Sequence, residues 1–197
     1  MSESIHPETD ILRIREVYSR FMPIDDELLG MIMRHARPVQ VLKGQYWMRM
    51  GERNDRLGLV TTGLMRNILV VNGQEHTAFF SEAPYFVTEY VGFVTRTPAR
   101  HSIVALEDST VYEWTYDDLQ AMYEANPRGE RLGRLIAETV FAETTSLVDS
   151  YKLQSAADRY RDFVQQHPSL VQRVPQYMLA SFLGITPESL SRIRSAK

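Results

Sequence analysis

Cysteine is absent from the 197 residues, which excludes disulfide scaffolds, thiolate zinc sites, cysteine nucleophiles and cysteine-ligated iron–sulfur sensors together. Long apolar runs are missing too: stretches such as Ile68 to Val71 are far shorter than the ~18 residues a membrane span requires. The opening MSESIHPETD is polar and acidic, without the basic start and apolar stretch of a secretory signal, so the chain reads as cytoplasmic with no membrane partner. Catalytic signatures are equally sparse. The histidines His6, His35, His76, His101 and His167 show no HxH or HExxH spacing and read as surface or loop residues. No GxGxxG or GxxxxGKS/T phosphate loop occurs, and Ser146 and Ser189 lack a visible base. Neither an enzyme nor a metal site is expected.

What is present is ordinary globular composition, 44% hydrophobic and 10% aromatic, enough for one large domain or two small ones around a packed core. The net charge of −3 is unevenly spread. From Tyr151 onward there are seven basic residues against three acidic ones, while the rest of the chain is acidic. A basic tail on an acidic body suits a module that approaches phosphates.

Ile11, Ile14, Val17, Tyr18 and Phe21 fall on one face of a first helix. Asp25-Asp26-Glu27 opens a second one carrying Leu28, Leu29, Ile32 and Met33, which Pro38 is expected to end. From Val39 the pattern changes to short apolar runs cut by glycine, with Asn72-Gly73 supplying a tight hairpin turn, and an antiparallel sandwich or barrel follows. Ser81 to Arg100 has no clean period and reads as a loop with one short helix.

After Asn126-Pro127, a proline-free helix is expected from about Arg128 to Tyr151. Leu132, Ile136, Val140, Leu147 and Tyr151 form one stripe on it, with Glu143 in its middle. Such a helix spans about 36 Å, more than a small β domain needs, so part of the stripe is expected to meet the same helix of a second copy. A shorter helix, Ser155 to Gln166, stops before His167-Pro168.

The most informative stretch is QYMLASFLGITPESLSRIRSAK, from Gln176. Leu179, Ala180, Leu183, Gly184, Ile185, Leu190 and Ile193 match a helix-turn-helix position by position: Ala180 permits a close crossing, and Gly184 takes the left-handed turn. Pro175 reads as a first helical residue, and Thr186 and Pro187 as N-cap and N1 of the second helix. Glu188, Ser189 and Arg192 then project from the half that enters the major groove in this motif, where arginine pairs with guanine and a carboxylate accepts from cytosine. The alternative is a solvated i,i+4 pair between Glu188 and Arg192 on a surface helix.

A glycine-punctuated β domain, a long helix and a terminal helix-turn-helix ending TPESLSRIR resemble the cyclic-AMP receptor protein/fumarate-nitrate regulator (Crp/Fnr) family. The β-domain motifs are Lys43-Gly44, Met50-Gly51-Glu52, Asp55-Arg56-Leu57 and Thr62-Gly63-Leu64. The resemblance implies an α+β fold: an effector domain over 1–127 built as a cyclic-nucleotide-binding-like jelly roll, a dimerisation helix over 128–153 and a DNA-binding domain over 154–197. It implies double-stranded DNA, a second copy of the chain and RNA polymerase as partners, with Thr186, Glu188, Ser189, Arg192 and Arg194 at the DNA. It also implies an effector pocket with Glu89, Arg100 and Thr144 among its residues, Thr145 and Ser146 being neighbouring candidates.

Two departures stand out. Thr88, in Phe86-Val87-Thr88-Glu89, replaces the glycine that lets the family's backbone approach a cyclic phosphate, so cyclic AMP is a poor candidate; the small-molecule effector is unidentified and no cofactor is assigned. The sequence also stops four residues after Ile193, without the family's β wing, leaving Arg194 and Lys197 to supply phosphate contacts. The competing reading is a protein-interaction module that keeps this fold with a vestigial helix-turn-helix.

Overall fold

The computed structural model describes residues 7–195; His6 and Lys197 lie outside them. Helix α1 (Pro7–Ser19) buries Ile14, Val17 and Tyr18, as their spacing requires, together with Asp10, which accepts from the Tyr112 hydroxyl at 3.5 Å. Helix α2 (Asp26–Met33) is capped by Asp25, whose carboxylate accepts the Leu28 amide. Pro38 does not end this helix. The helix closes at Met33, and Pro38 lies inside β1 (Arg37–Val41), an edge strand, where a residue without an amide proton is tolerated.

The β domain continues with β2 (Tyr46–Met48), β3 (Arg56–Thr62), β4 (Leu64–Val71), β5 (Gln74–Glu82), β6 (Tyr85–Val87), β7 (Ser102–Ala105) and β8 (Ser109–Thr115). They form two four-stranded antiparallel sheets, ordered β1-β8-β3-β6 and β2-β7-β4-β5. Asn72 and Gly73 both have positive φ and join β4 to β5 with Val71 opposite Gln74. Alternation along β3 sends Val60 between the sheets, beside Met48, Met65 and Val111, and Leu59 to the other face, against Ile14, Leu28 and Trp114. The first sheet is therefore buried on both faces.

The segment from Ser81 to Arg100 is more ordered than a loop. β6 pairs with β3, Val60 opposite Tyr85, and α3 (Tyr90–Thr95) follows. A three-residue strand is too short to display a period. Helix α4 (Tyr116–Ala125), which the sequence reading passed over, opens with a reciprocal cap between Thr115 and Asp118.

Helix α5 (Pro127–Leu153) has Asn126 as cap and Pro127 in its first turn. The N-terminal part of the expected stripe is taken up by the chain itself: Leu132 is buried, and Ile136 packs against the same core. Tyr151, at the far end of that stripe, stays exposed, as do Phe141, 75% exposed, Val148 and Leu153. No helix of the described residues is long and apolar enough to cross a membrane.

Four further helices follow among the described residues: α6 (Ala156–Gln166), α7 (Leu170–Arg173), α8 (Gln176–Phe182) and α9 (Pro187–Ser195). They share a core of Phe163, Leu170, Leu179, Leu183 and Leu190, which packs on Leu64 and Phe80 of the β4–β5 ribbon. Ser181 accepts the Thr77 amide at 2.9 Å, and Arg173 pairs with Glu82 and with Glu107.

Candidate functional site

Two places concentrate chemistry. The first is the surface of the α8–α9 pair. Ala180 and Leu190 have no exposed surface, and the Ile185 amide reaches the Ala180 carbonyl at 3.0 Å, so the two helices meet closely. Gly184 turns the chain between them at φ +69°. Pro175 stands one position earlier than expected: it is the residue before α8, with extended ψ, and its carbonyl accepts the Met178 and Leu179 amides. Thr186 caps α9, accepting the Ser189 amide on its hydroxyl at 3.2 Å, and Pro187 is the first helical residue.

Glu188, Arg192 and Arg194 are exposed, and Ser189 is partly exposed, 3.4 Å from the Arg192 guanidinium. No ion pair joins Glu188 to Arg192 among the described residues, although they lie four apart. The Glu188 carboxyl is held below the usual carboxylate range by its own backbone amide and the Thr186 hydroxyl, so it presents a charged acceptor. Thr186, Glu188, Ser189 and Arg192 thus share the N-terminal half of α9, with Arg194 near its end. The surface combines a bidentate donor with an anionic acceptor.

The second place is a cavity of about 430 Å³ between the β domain and α3, α4 and α5. Glu89, Arg100 and Thr144 all line it. Glu89 is 3% exposed and caps α3: its Oε2 accepts the Gly92 amide at 2.9 Å and the Arg100 amide at 3.2 Å, and the Arg100 guanidinium lies 3.9 Å from Oε1. Thr88 donates to the Arg56 carbonyl at 3.0 Å.

Among the lining residues not anticipated, three polar ones stand out. The Tyr85 hydroxyl donates to the Glu143 carboxylate, and burial together with that bond pushes it above the ordinary tyrosine range. Burial holds the His101 imidazole below the ordinary histidine range. Asn67 has a buried Oδ1 without a partner. The signal for Asn67 was available, since Arg66-Asn67 interrupts the apolar run of β4. Tyr85 lay in the stretch without a period. Among the described residues, no three His, Asp or Glu side chains converge as a metal ion would require.

Residues 38–126 match the cyclic nucleotide-binding domain family. Among curated proteins none matches this sequence. Solved structures share the fold. FixK2 from Bradyrhizobium japonicum superposes with a TM-score of 0.70 at 16% identity, covering 82% of this chain and 83% of that one. CLP from Xanthomonas campestris, described as a c-di-GMP responsive global regulator, gives 0.68 at 18% identity over 87% and 91%. The catabolite activator protein of Thermus thermophilus gives 0.55 at 20% identity over 89% and 84%. At these identities the likeness is one of fold, and it is the fold that the resemblance drawn from the sequence implies.

Proposed function

We propose that this chain, which carries a cyclic nucleotide-binding domain on the fold of Crp/Fnr-type regulators, is a DNA-binding transcription regulator that reads an inverted repeat as a homodimer. On this reading, 1–127 is a jelly-roll effector domain, 128–153 the dimerisation helix and 154–197 a helix-turn-helix domain. It works in the cytoplasm and has no catalytic role.

The observation that carries the proposal is the second helix of the pair. Leu190 is fully buried while Glu188 and Arg192, unpaired with each other, stand open on the capped half of α9. That half enters the major groove in this motif, where arginine donates to guanine O6 and N7. Phe141 and Val148, seven apart on α5 and both exposed, supply an open apolar face for the second copy.

Selecting bound fragments from random DNA tests the reading. The expected product is an inverted repeat with half-sites about one helical turn, ~34 Å, apart. Arg192→Ala is expected to lower affinity and to erase preference at one base-pair position, a loss of about 1–3 kcal/mol in discrimination. Absence of any enriched repeat, with binding that ignores salt, identifies a protein-contact module instead.

A further inference from the structure

We propose that Tyr151 and Arg159 are positioning residues for the DNA-binding surface: they hold the turn of the α8–α9 pair against the end of α5 and fix the direction in which α9 points. The proposal deepens the regulator reading above and rests on it.

The last carbonyls of a helix have no partner within it, and whatever satisfies them decides how the helix end is held. At the end of α8 the Ala180 and Ser181 carbonyls accept the Ile185 and Gly184 amides at 3.0 and 3.1 Å, which closes the turn on itself. The next two carbonyls are engaged from outside the pair. Phe182 accepts from the Tyr151 hydroxyl on α5, and Leu183 accepts from Arg159 on α6, at 3.2 Å from Nε and 3.0 Å from Nη2. Burial holds the Tyr151 hydroxyl above the ordinary tyrosine range, so it stays a donor at neutral pH. Its ring also backs the turn, since a Cβ on Gly184 would stand 3.4 Å from it.

These contacts span a joint. Gln154 and Ser155 are both extended, with ψ 149° and 158°, so α5 does not run on as one rod into α6. Tyr151 precedes the joint and Arg159 follows it. Arg159 Nη1 donates to the Gln154 carbonyl at 2.8 Å, and the guanidinium lies 5.3 Å from the centre of the Tyr151 ring, so joint, ring and turn meet at one side chain. Arg159 counts among the basic residues of the tail, yet its donors are engaged here rather than turned toward phosphates. Phe182 packs on Phe79, Phe80 and Phe163, and Ser181 accepts the Thr77 amide, which together keep α8 close to β5. Apolar packing is non-directional, and one hydroxyl contact leaves rotation about it. The donors on the two carbonyls add the missing direction. Because α9 begins at Pro187, four residues after Leu183, a turn that swings carries Glu188 and Arg192 with it.

The chain has no cysteine, so spin labels at Glu138→Cys on α5 and Ser191→Cys on α9, both exposed positions, report one separation. The labelled full chain, diluted with unlabelled chain so that each pair lies within one molecule, is expected to give a single narrow distance by pulsed dipolar spectroscopy. Tyr151→Phe, which keeps the ring, and Arg159→Met, which keeps the stem, should each broaden it in proteins whose circular dichroism stays native. On DNA, the unlabelled parent should prefer its selected inverted repeat over the same repeat with a base pair added between the half-sites. Tyr151→Phe should lessen that preference about fivefold, the worth of one hydrogen bond. A mere helix cap would lower stability and leave both the distance and the spacing preference alone. Unchanged distances in both folded variants, or an unchanged spacing preference, would each overturn the proposal. A parent chain that selects no repeat removes the regulator reading, and the distances then decide by themselves whether the two residues orient α9.

Discussion

The Tyr85 hydroxyl on β6 donates to the Glu143 carboxylate on α5, joining the rim of the cavity to the middle of the longest helix across 58 positions of sequence. Glu143 therefore interrupts an apolar stripe for a reason. It is a polar tie between α5 and the β domain, added to the packing of Leu132 and Ile136.

Tyr85→Phe removes this tie and leaves Glu143 to water, so urea unfolding should show a loss of about 0.5–1.5 kcal/mol at neutral pH. The folded-state value of Tyr85 lies above the ordinary value near 10. Its stabilising contribution is thus complete below about pH 10 and is lost as pH rises further, because the unfolded chain ionises first. The alkaline fall in stability should be shallower in Tyr85→Phe than in the parent protein.

Arg173 fastens the C-terminal helices to the β domain through Glu82 and Glu107. The hydrogen bond from Arg173 holds the Glu107 carboxyl below the usual range. That contribution is present above the unfolded value of about 4.3 and disappears as pH falls through the lower folded value. Both groups are partly exposed, so screening holds the pair to about 1 kcal/mol. Arg173→Ala should lose that amount at pH 7 and flatten the acid limb of stability against pH. Hydrogen exchange in α8 should quicken more than in β3.

Gly92→Ala tests the packing around Glu89. An added Cβ would stand 2.5 Å from Glu89 Oε2, 3.0 Å from the Thr97 carbonyl and 3.1 Å from Asn54 Nδ2. A buried carboxylate fixed by two amides cannot retreat freely, so a cost of about 1–3 kcal/mol is expected in thermal unfolding.

Phe141 is the most open aromatic side chain on α5. Phe141→Asp should convert a dimer to a monomer in sedimentation analysis while changing the stability of the isolated fold by less than about 0.5 kcal/mol. A parent chain that sediments as a monomer at micromolar concentration removes the dimer from the reading.

Much of this arrangement is legible from residue type alone. Asp25, Ser155 and Thr186 are side chains whose oxygens satisfy free helix amides, so they mark helix starts wherever they precede an apolar period. Gly184 and Asn72-Gly73 mark turns because few residues accept positive φ. Long-range pairing leaves no such mark. β6 is three residues long and gains its order from β3, nearly 30 positions earlier, and Tyr85 meets Glu143 only because the chain has folded. The division of α5 between an inner and an outer apolar face is likewise set by what packs on it, since Leu132 and Phe141 are equally hydrophobic in sequence yet meet opposite fates. Pro38 misled for a related reason: a missing amide proton can stop a helix or sit unnoticed at a sheet margin.

Strand β5 is a party wall. Ala78 and Ser81 look into the cavity, Thr77 and Phe80 seat α8, and Phe79 touches both the cavity and the crevice beside α6. Only the thickness of a single strand separates the two compartments. A substitution on β5 therefore bears on the cavity and on the seat of α8 at once.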